Sequence, residues 1–220
     1  MSYLTLSVYF GWIAVIIGFF GFTAQYRRAS TMGIEGISLA TWVLFSLMGC
    51  FWMAYGIVAH SWAISIGSVV VFPQQVSVVF RLKPWQHGRV VLRCVGFFMA
   101  CCVMPTVLWG WPGGVYGTGI AMVINRGPQL IELVRHDDAT GVSVLSWVLG
   151  AICTASWMVY YVGAHLWAAF SATGCALAAN VVIAVLASWR HRQRRAQLIR
   201  DEVFAVQKIQ PSGLGGRRWR

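Results

Sequence analysis

Charged residues are absent from four long runs of the chain, 1–26, 37–80, 94–125 and 142–189. A helix that crosses the roughly 30 Å hydrocarbon core of a bilayer needs about 20 apolar residues. The second and fourth runs are each long enough for two crossings folded back through an uncharged turn. The pattern predicts seven helices, at about 7–26, 37–58, 62–82, 90–109, 114–134, 143–162 and 166–189. The expected class is an all-α membrane protein.

Composition agrees. Of 220 residues, 58% are hydrophobic and 10% charged, against about 25% charged in an ordinary soluble domain. A conventional soluble enzyme is excluded, and no Ser/His/Asp, metal or phosphate-loop constellation suggests catalysis or a cofactor. Cys50, Cys94, Cys101, Cys102, Cys153 and Cys175 all fall in apolar stretches without metal-ligand spacing, so they are expected to be packing residues. The first apolar stretch has no basic residue before it, and Arg27 and Arg28 follow it, which fits an uncleaved span better than a signal peptide.

The connections alternate in charge. Those after the first, third and fifth helices carry Arg27 and Arg28, then Arg81, Lys83 and Arg89, then Arg135. Those after the second, fourth and sixth carry none. Short basic loops stay in the cytoplasm, so the N-terminus is expected outside and the C-terminus inside, in a plasma membrane. The tail 190–220 has nine Lys/Arg against two acids. The net charge of +11 therefore sits where membrane topology puts it, and no nucleic-acid partner is expected. Residues 190–209 are expected to form a basic amphipathic helix against anionic headgroups.

The chain also repeats itself. At an offset of 105, positions 36–63 and 141–168 share twelve identities in 28, where roughly two are expected by chance. The pairs include Gly36/Gly141, Ser38/Ser143, Trp42/Trp147, Trp52/Trp157, Tyr55/Tyr160 and His60/His165. With a one-residue gap, Gln25 falls on Gln129. The predicted organisation is a three-helix repeat at 1–83, a linker helix at 84–112, a second repeat at 113–189 and the tail. The linker is needed because a three-helix unit ends on the side opposite its start, and one more crossing makes the two copies parallel (3+1+3). Parallel repeats place a transporter's site at their interface.

The second copy reads GPQLIELVRHDDATGVSVLSW from Gly127 to Trp147. It resembles the PQ-loop motif, a Pro-Gln near the inner end of one helix, a basic loop, and a Gly-x-Ser start to the next. Trp157-Met158-Val159-Tyr160 resembles the Trp-x-x-Tyr segment of SWEET and SemiSWEET sugar transporters. The resemblance covers about 160 residues and implies a facilitative transporter whose sugar is held between the two units by aromatic and amide side chains. By position, its aromatic pair is Trp52 and Trp157. The Asn that such proteins carry sixteen residues after that Trp is replaced here by Ser68 and Thr173.

The residues suggest a substitute. Gln75 and Asn180 each lie seven positions, two helical turns, beyond Ser68 and Thr173, on the same helix face. The pairs Ser68/Gln75 and Thr173/Asn180 are candidates for a hydroxyl-and-amide site suited to a neutral small molecule; the competing reading is interhelical glue. Pro128 cannot donate to Ile124 and predicts a kink there, so Pro128 with Gln129 is a candidate gating hinge. The first copy has Ala24-Gln25, without the proline, and Pro73 in the third helix is the candidate source of flexibility on that side. Ala164, Ala168, Ala172 and Ala176, and likewise Gly113 and Gly117, suggest close helix packing. His60 and His165 are expected to be turn residues.

Arg126 lies about nine residues inside the basic loop. An anionic substrate, a carboxylate partner such as Glu132 or Glu35, or a snorkelling path to the inner surface can each accommodate it, and the last two together are the expectation. Three functions follow: a sugar uniporter, a proton-coupled amino-acid carrier like the cystine-exporting PQ-loop proteins, or a non-transporting membrane receptor. The uniporter ranks first, since Trp147–Tyr161 lacks the acid that the cystine branch places there. The expected partners are a small-molecule substrate, lipid and possible further copies of the chain.

Overall fold

The computed structural model describes residues 3–136 and 138–209, and every regular element among them is helical. α1 spans Tyr3–Thr31, α2 Leu39–Val58 and α3 Trp62–Arg81. A 3-10 turn at Pro84–His87 leads into α4, Gly88–Phe98, which passes through π-helix at Met99–Val103 into α5, Met104–Ile124. α6 is Gly127–Arg135, α7 Val144–Gly163 and α8 Trp167–Ile209. Among the described residues, six helical runs are long and apolar enough to cross a bilayer. Large apolar side chains such as Phe20, Leu92, Val107 and Val185 stand exposed on them, as lipid-facing residues do. The protein is an all-α integral membrane protein.

One of the six runs, 84–135, doubles back. Gly110 has φ 70° and ψ −170°, a conformation that favours glycine. A Cβ on Gly113 would lie 2.5 Å from the Pro105 carbonyl oxygen, and one on Gly117 would strike the Cys101 carbonyl. Contacts that pair 105 with 113 and 101 with 117 belong to a chain reversed near 109–110. The run is thus a helical hairpin whose limbs touch through glycine, and its limbs correspond to the helices predicted at 90–109 and 114–134. The apolar helical segments number six or seven, according to whether this hairpin counts as one or two.

The second limb is itself broken. α5 ends at Ile124 and α6 starts at Gly127, with Pro128 in its first turn. The break falls where Pro128 has no N–H to offer the Ile124 carbonyl. The corresponding stretch of α1, with Ala24 in place of proline, stays helical from Tyr3 to Thr31, and α3 continues through Pro73.

The repeat is visible in local detail. Ser38 caps α2 by accepting from the Thr41 N–H, and Ser143 caps α7 by accepting from the Ser146 N–H. At the other ends, His60 and His165 adopt left-handed φ values of 50° and 56° in two turns with one hydrogen-bond pattern. Ser61 N–H reaches back to the Gly56 carbonyl and Leu166 N–H to that of Tyr161, at 2.8 and 2.9 Å. Both histidines are turn residues, as their sequence positions suggested. α3 packs against α1 and α2, α8 against α5 and α7, and α1 against α7.

α8 does not stop at Trp189. It runs unbroken to Ile209, so the basic segment 190–209 is the continuation of a 43-residue helix. The first turns of that extension are tied to the end of α6 and the loop before α7: Arg190 donates to the Leu133 carbonyl at 3.1 Å, His191 Nε2 sits 2.8 Å from the Ala139 carbonyl, and Arg194 pairs with Asp138. The rest of the tail, with Arg217, Arg218 and Arg220, lies outside the described residues. So do the side chains of Ala168 and Ala172 in the alanine stripe, of which Ala176 is fully buried.

Candidate solute-binding cavity

The two glutamines that correspond across the repeat make corresponding bonds. Gln25, on α1, donates from Nε2 to the Gly141 carbonyl at 2.7 Å and accepts from the Ser143 N–H at 2.8 Å. Gln129, on α6, donates to the Gly36 carbonyl at 2.6 Å and accepts from the Ser38 N–H at 2.9 Å. Each glutamine thus grips the Gly-x-Ser start of a helix in the opposite copy. Both are 1% exposed, so their four hydrogen bonds are shielded from water. The glycines allow this because the two loops cross in backbone contact: a Cβ on Gly36 would lie 2.7 Å from the Asp138 carbonyl oxygen and one on Gly141 2.7 Å from that of Gly33. The Gly141 N–H bonds the Glu35 carbonyl at 2.9 Å.

Above these clamps sits an aromatic layer. Phe22, Trp42 and Phe45 meet edge to face at centroid distances of 5.7–5.8 Å, and Phe45 touches Trp147 at 6.3 Å. Trp42 and Trp147, repeat counterparts, are both buried in the core cluster with Leu133, Val142 and Ile183. Clamps and rings together seal this end of the molecule.

Beyond the aromatic layer is a cavity of about 200 Å³, somewhat below the roughly 300–1,000 Å³ of drug-sized sites. α1, α2, α3, α5, α7 and α8 all contribute to its wall. Trp52, Trp157, Ser68, Gln75 and Asn180 are all in the wall, so five of the six side chains singled out in the sequence converge. Thr173 is not in the wall: it is 1% exposed, and among the described residues its hydroxyl has no hydrogen-bond partner. On that side Tyr161 fills wall beside Trp157, stacked at 5.8 Å, where its counterpart in the first copy is Gly56. At the end away from the clamps, the Tyr160 hydroxyl lies 2.9 Å from that of Ser61.

The amide pair is asymmetric. Asn180 donates to the Thr154 hydroxyl at 2.9 Å and accepts from Arg126 Nε at 2.6 Å. Its counterpart Gln75 faces Gly49, which occupies the position of Thr154. Glycine offers no hydroxyl to accept from the Gln75 amide, Phe22 in the place of Arg126 offers no donor, and among the described residues Gln75 Oε1 is buried without a partner.

Arg126 departs most from expectation. It pairs with neither Glu132 nor Glu35 and does not reach the surface. Glu132 instead lies 3.5 Å from His136, and Arg126 is 6% exposed in the cavity wall. Besides Asn180, it donates from Nη1 to the Met122 carbonyl and to Asn125 Oδ1, and it stands 5.5 Å over the Phe45 ring. It sits at the junction of α5 and α6, where Asn125 and Arg126 keep right-handed helical dihedrals. Its counterpart in the first copy is Phe22, also in the wall. Sequence reasoning missed this placement and the reciprocity of the clamps. The clamps could have been read from the coincidence that both Gln and Gly-x-Ser recur as a set.

No protein-family model, curated protein or solved structure matches the chain. What its fold and site define is a class: an integral membrane protein of helices that enclose a largely apolar, aromatic cavity with a few polar groups in its wall, closed at one end.

Proposed function

We propose that this protein is a facilitative carrier that moves a small polar organic solute across the plasma membrane by alternating access. The supporting observation is that two corresponding glutamine clamps, each spanning the two copies, close one end of a cavity lined from both. Such contacts suit a gate, because four hydrogen bonds can be exchanged for water when the loops part, at a net cost of about 1 kcal/mol each. The 3+1+3 reading, with α4 and the first limb of the hairpin as the linker, gives each copy one glutamine and one Gly-x-Ser. The basic loops put the clamp end in the cytoplasm and the N-terminus outside. The resemblance to PQ-loop and SWEET proteins points the same way and favours a sugar or sugar-like solute.

Trp52 and Trp157 serve as stacking surfaces in this reading, with Ser68, Gln75 and Asn180 as hydrogen-bonding groups. Gln25 and Gln129 act as latches, and the break beside Pro128 as the hinge. No Asp or Glu lines the cavity, so the group that a proton-coupled carrier would titrate is missing from the solute path. The test is counterflow in proteoliposomes with labelled glucose, sucrose, gluconate and amino acids, with and without a pH gradient. Saturable counterflow of one solute class, unaffected by the gradient, supports a uniporter; its absence for every class contradicts the reading.

A further inference from the structure

Arg126 brings a full positive charge into a wall that contains no carboxylate. Among the described residues, no acid lies within ion-pairing distance of it. A buried cation without a counter-ion is costly, by several kcal/mol even after relaxation, and the first copy avoids this with Phe22. The neighbours of Arg126 are neutral acceptors, and they engage Nε and Nη1 only. Among the described residues, none accepts a hydrogen bond from Nη2, which has two N–H donors. The Gln75 side chain is in the same wall, and its Oε1 is a buried acceptor without a donor among the described residues, because Phe22 stands where Arg126 donates to Asn180 Oδ1 in the second copy.

These two vacancies are complementary in kind. One calls for an anionic oxygen and the other for a hydroxyl. Resting on the carrier reading above, we propose that the transported solute is a small hydroxylated monocarboxylate, of the sugar-acid or hydroxy-acid class, whose carboxylate pairs with Arg126 and whose hydroxyl donates to Gln75. One guanidinium balances one negative charge, which disfavours phosphate esters, since a dianion calls for a cluster of cations. An amino acid would bring an ammonium group for which the wall has no carboxylate. The aromatic wall of Trp52, Trp157 and Phe45 accounts for a carbon skeleton rather than a bare inorganic anion.

A uniporter for a monoanion is electrogenic, whereas one for a neutral sugar is not. The full-length protein in proteoliposomes is therefore assayed with labelled gluconate, lactate and glucose under an imposed, inside-positive potassium diffusion potential. About 59 mV should concentrate a monoanion tenfold at equilibrium. The expected result is tenfold accumulation of gluconate or lactate, lost by tenfold or more in initial rate in Arg126→Gln and largely kept in Arg126→Lys. Should Arg126→Gln fail to fold, the response of the wild type to potential decides alone. Glucose flux indifferent to potential and to Arg126→Gln, with no carboxylate entry, overturns the anion assignment and leaves the carrier intact. Thermal stabilisation by gluconate or lactate that vanishes in Arg126→Gln, without any flux, upholds the anion site and overturns the carrier. If none of the three solutes binds or moves, both fall.

Discussion

A single buried amide holds two backbone groups from the far side of the molecule, and this makes Gln25 and Gln129 the most sensitive residues of the closed end. Replacing either by Ala strands a carbonyl and an N–H in a dry environment, at about 1–3 kcal/mol per group unless water enters. Since water enters only if the loops part, each substitution should shift the population toward the open clamp; a change of about 2 kcal/mol is up to roughly 30-fold in that ratio. The measurement is alkylation of a cysteine introduced at Ser146, in the cavity wall, with native cysteines removed and a membrane-impermeant reagent applied from the cytoplasmic face. Faster labelling in Gln25→Ala is expected, and an unchanged rate contradicts the latch. A glycine gives a second residue-scale test. Gly117→Ala drives a methyl group into the Cys101 carbonyl, so overpacking should lower stability by about 1–3 kcal/mol, read as a lower melting temperature in detergent. At this scale the sequence named the residues but not their bonds. Gln25 and Gln129 were visible as a pair, yet that each reaches the other copy depends on where the loops cross. Arg126 was misplaced because the group that holds it inward, Asn180, comes from α8, 54 positions along the chain.

Among the elements, the break between α5 and α6 and the extension of α8 have separate consequences. Pro128→Ala restores a donor for the Ile124 carbonyl and should rejoin α5 to α6. Transport is then expected to slow several-fold while the protein stays folded, and unchanged counterflow would contradict a hinge at this place. The α8 extension is fastened by Asp138. Burial pushes its carboxyl up, but hydrogen bonds from Arg194 and Thr140 outweigh that and lower it from 3.8 to about 2. A depressed carboxylate stabilises the fold above its unfolded value and loses that contribution as pH falls. The anchor should therefore hold above pH 4 and fail between about pH 4 and 2, whereas Asp138→Asn should already weaken it at pH 7. Amide hydrogen exchange at 190–200 is the readout; equal protection in both proteins would contradict the anchor. Helix positions were legible because charge-free runs have the length a bilayer demands, and the kink followed from Pro128. The hairpin at Gly110 was legible only as an uncharged turn, since closure through Gly113 and Gly117 is tertiary. The helix expected at 190–209 is present as the end of α8, and its continuity with the last span fits the lack of any Gly or Pro between 175 and 209.

For the whole molecule, the duplication explains why capping serines, turn histidines, tryptophans and clamps come in pairs, and its imperfections gather at the cavity wall. Gly49 against Thr154, Phe22 against Arg126 and Gly56 against Tyr161 are mismatches between the copies, and all six positions but Gly56 line the cavity. Trp157→Ala should abolish counterflow, because it removes one of the two tryptophans in the cavity wall, while leaving the melting temperature within a few degrees. The central claim is that the clamped end opens and closes. It is tested most directly by pulsed electron–electron distance measurement between spin labels at positions 32 and 136, at the starts of the two crossed loops, in a cysteine-free protein in nanodiscs. The account predicts two distances, the shorter that of the clamped state, with Gln25→Ala and Gln129→Ala each raising the longer one. A single distance, unmoved by either substitution, would contradict it.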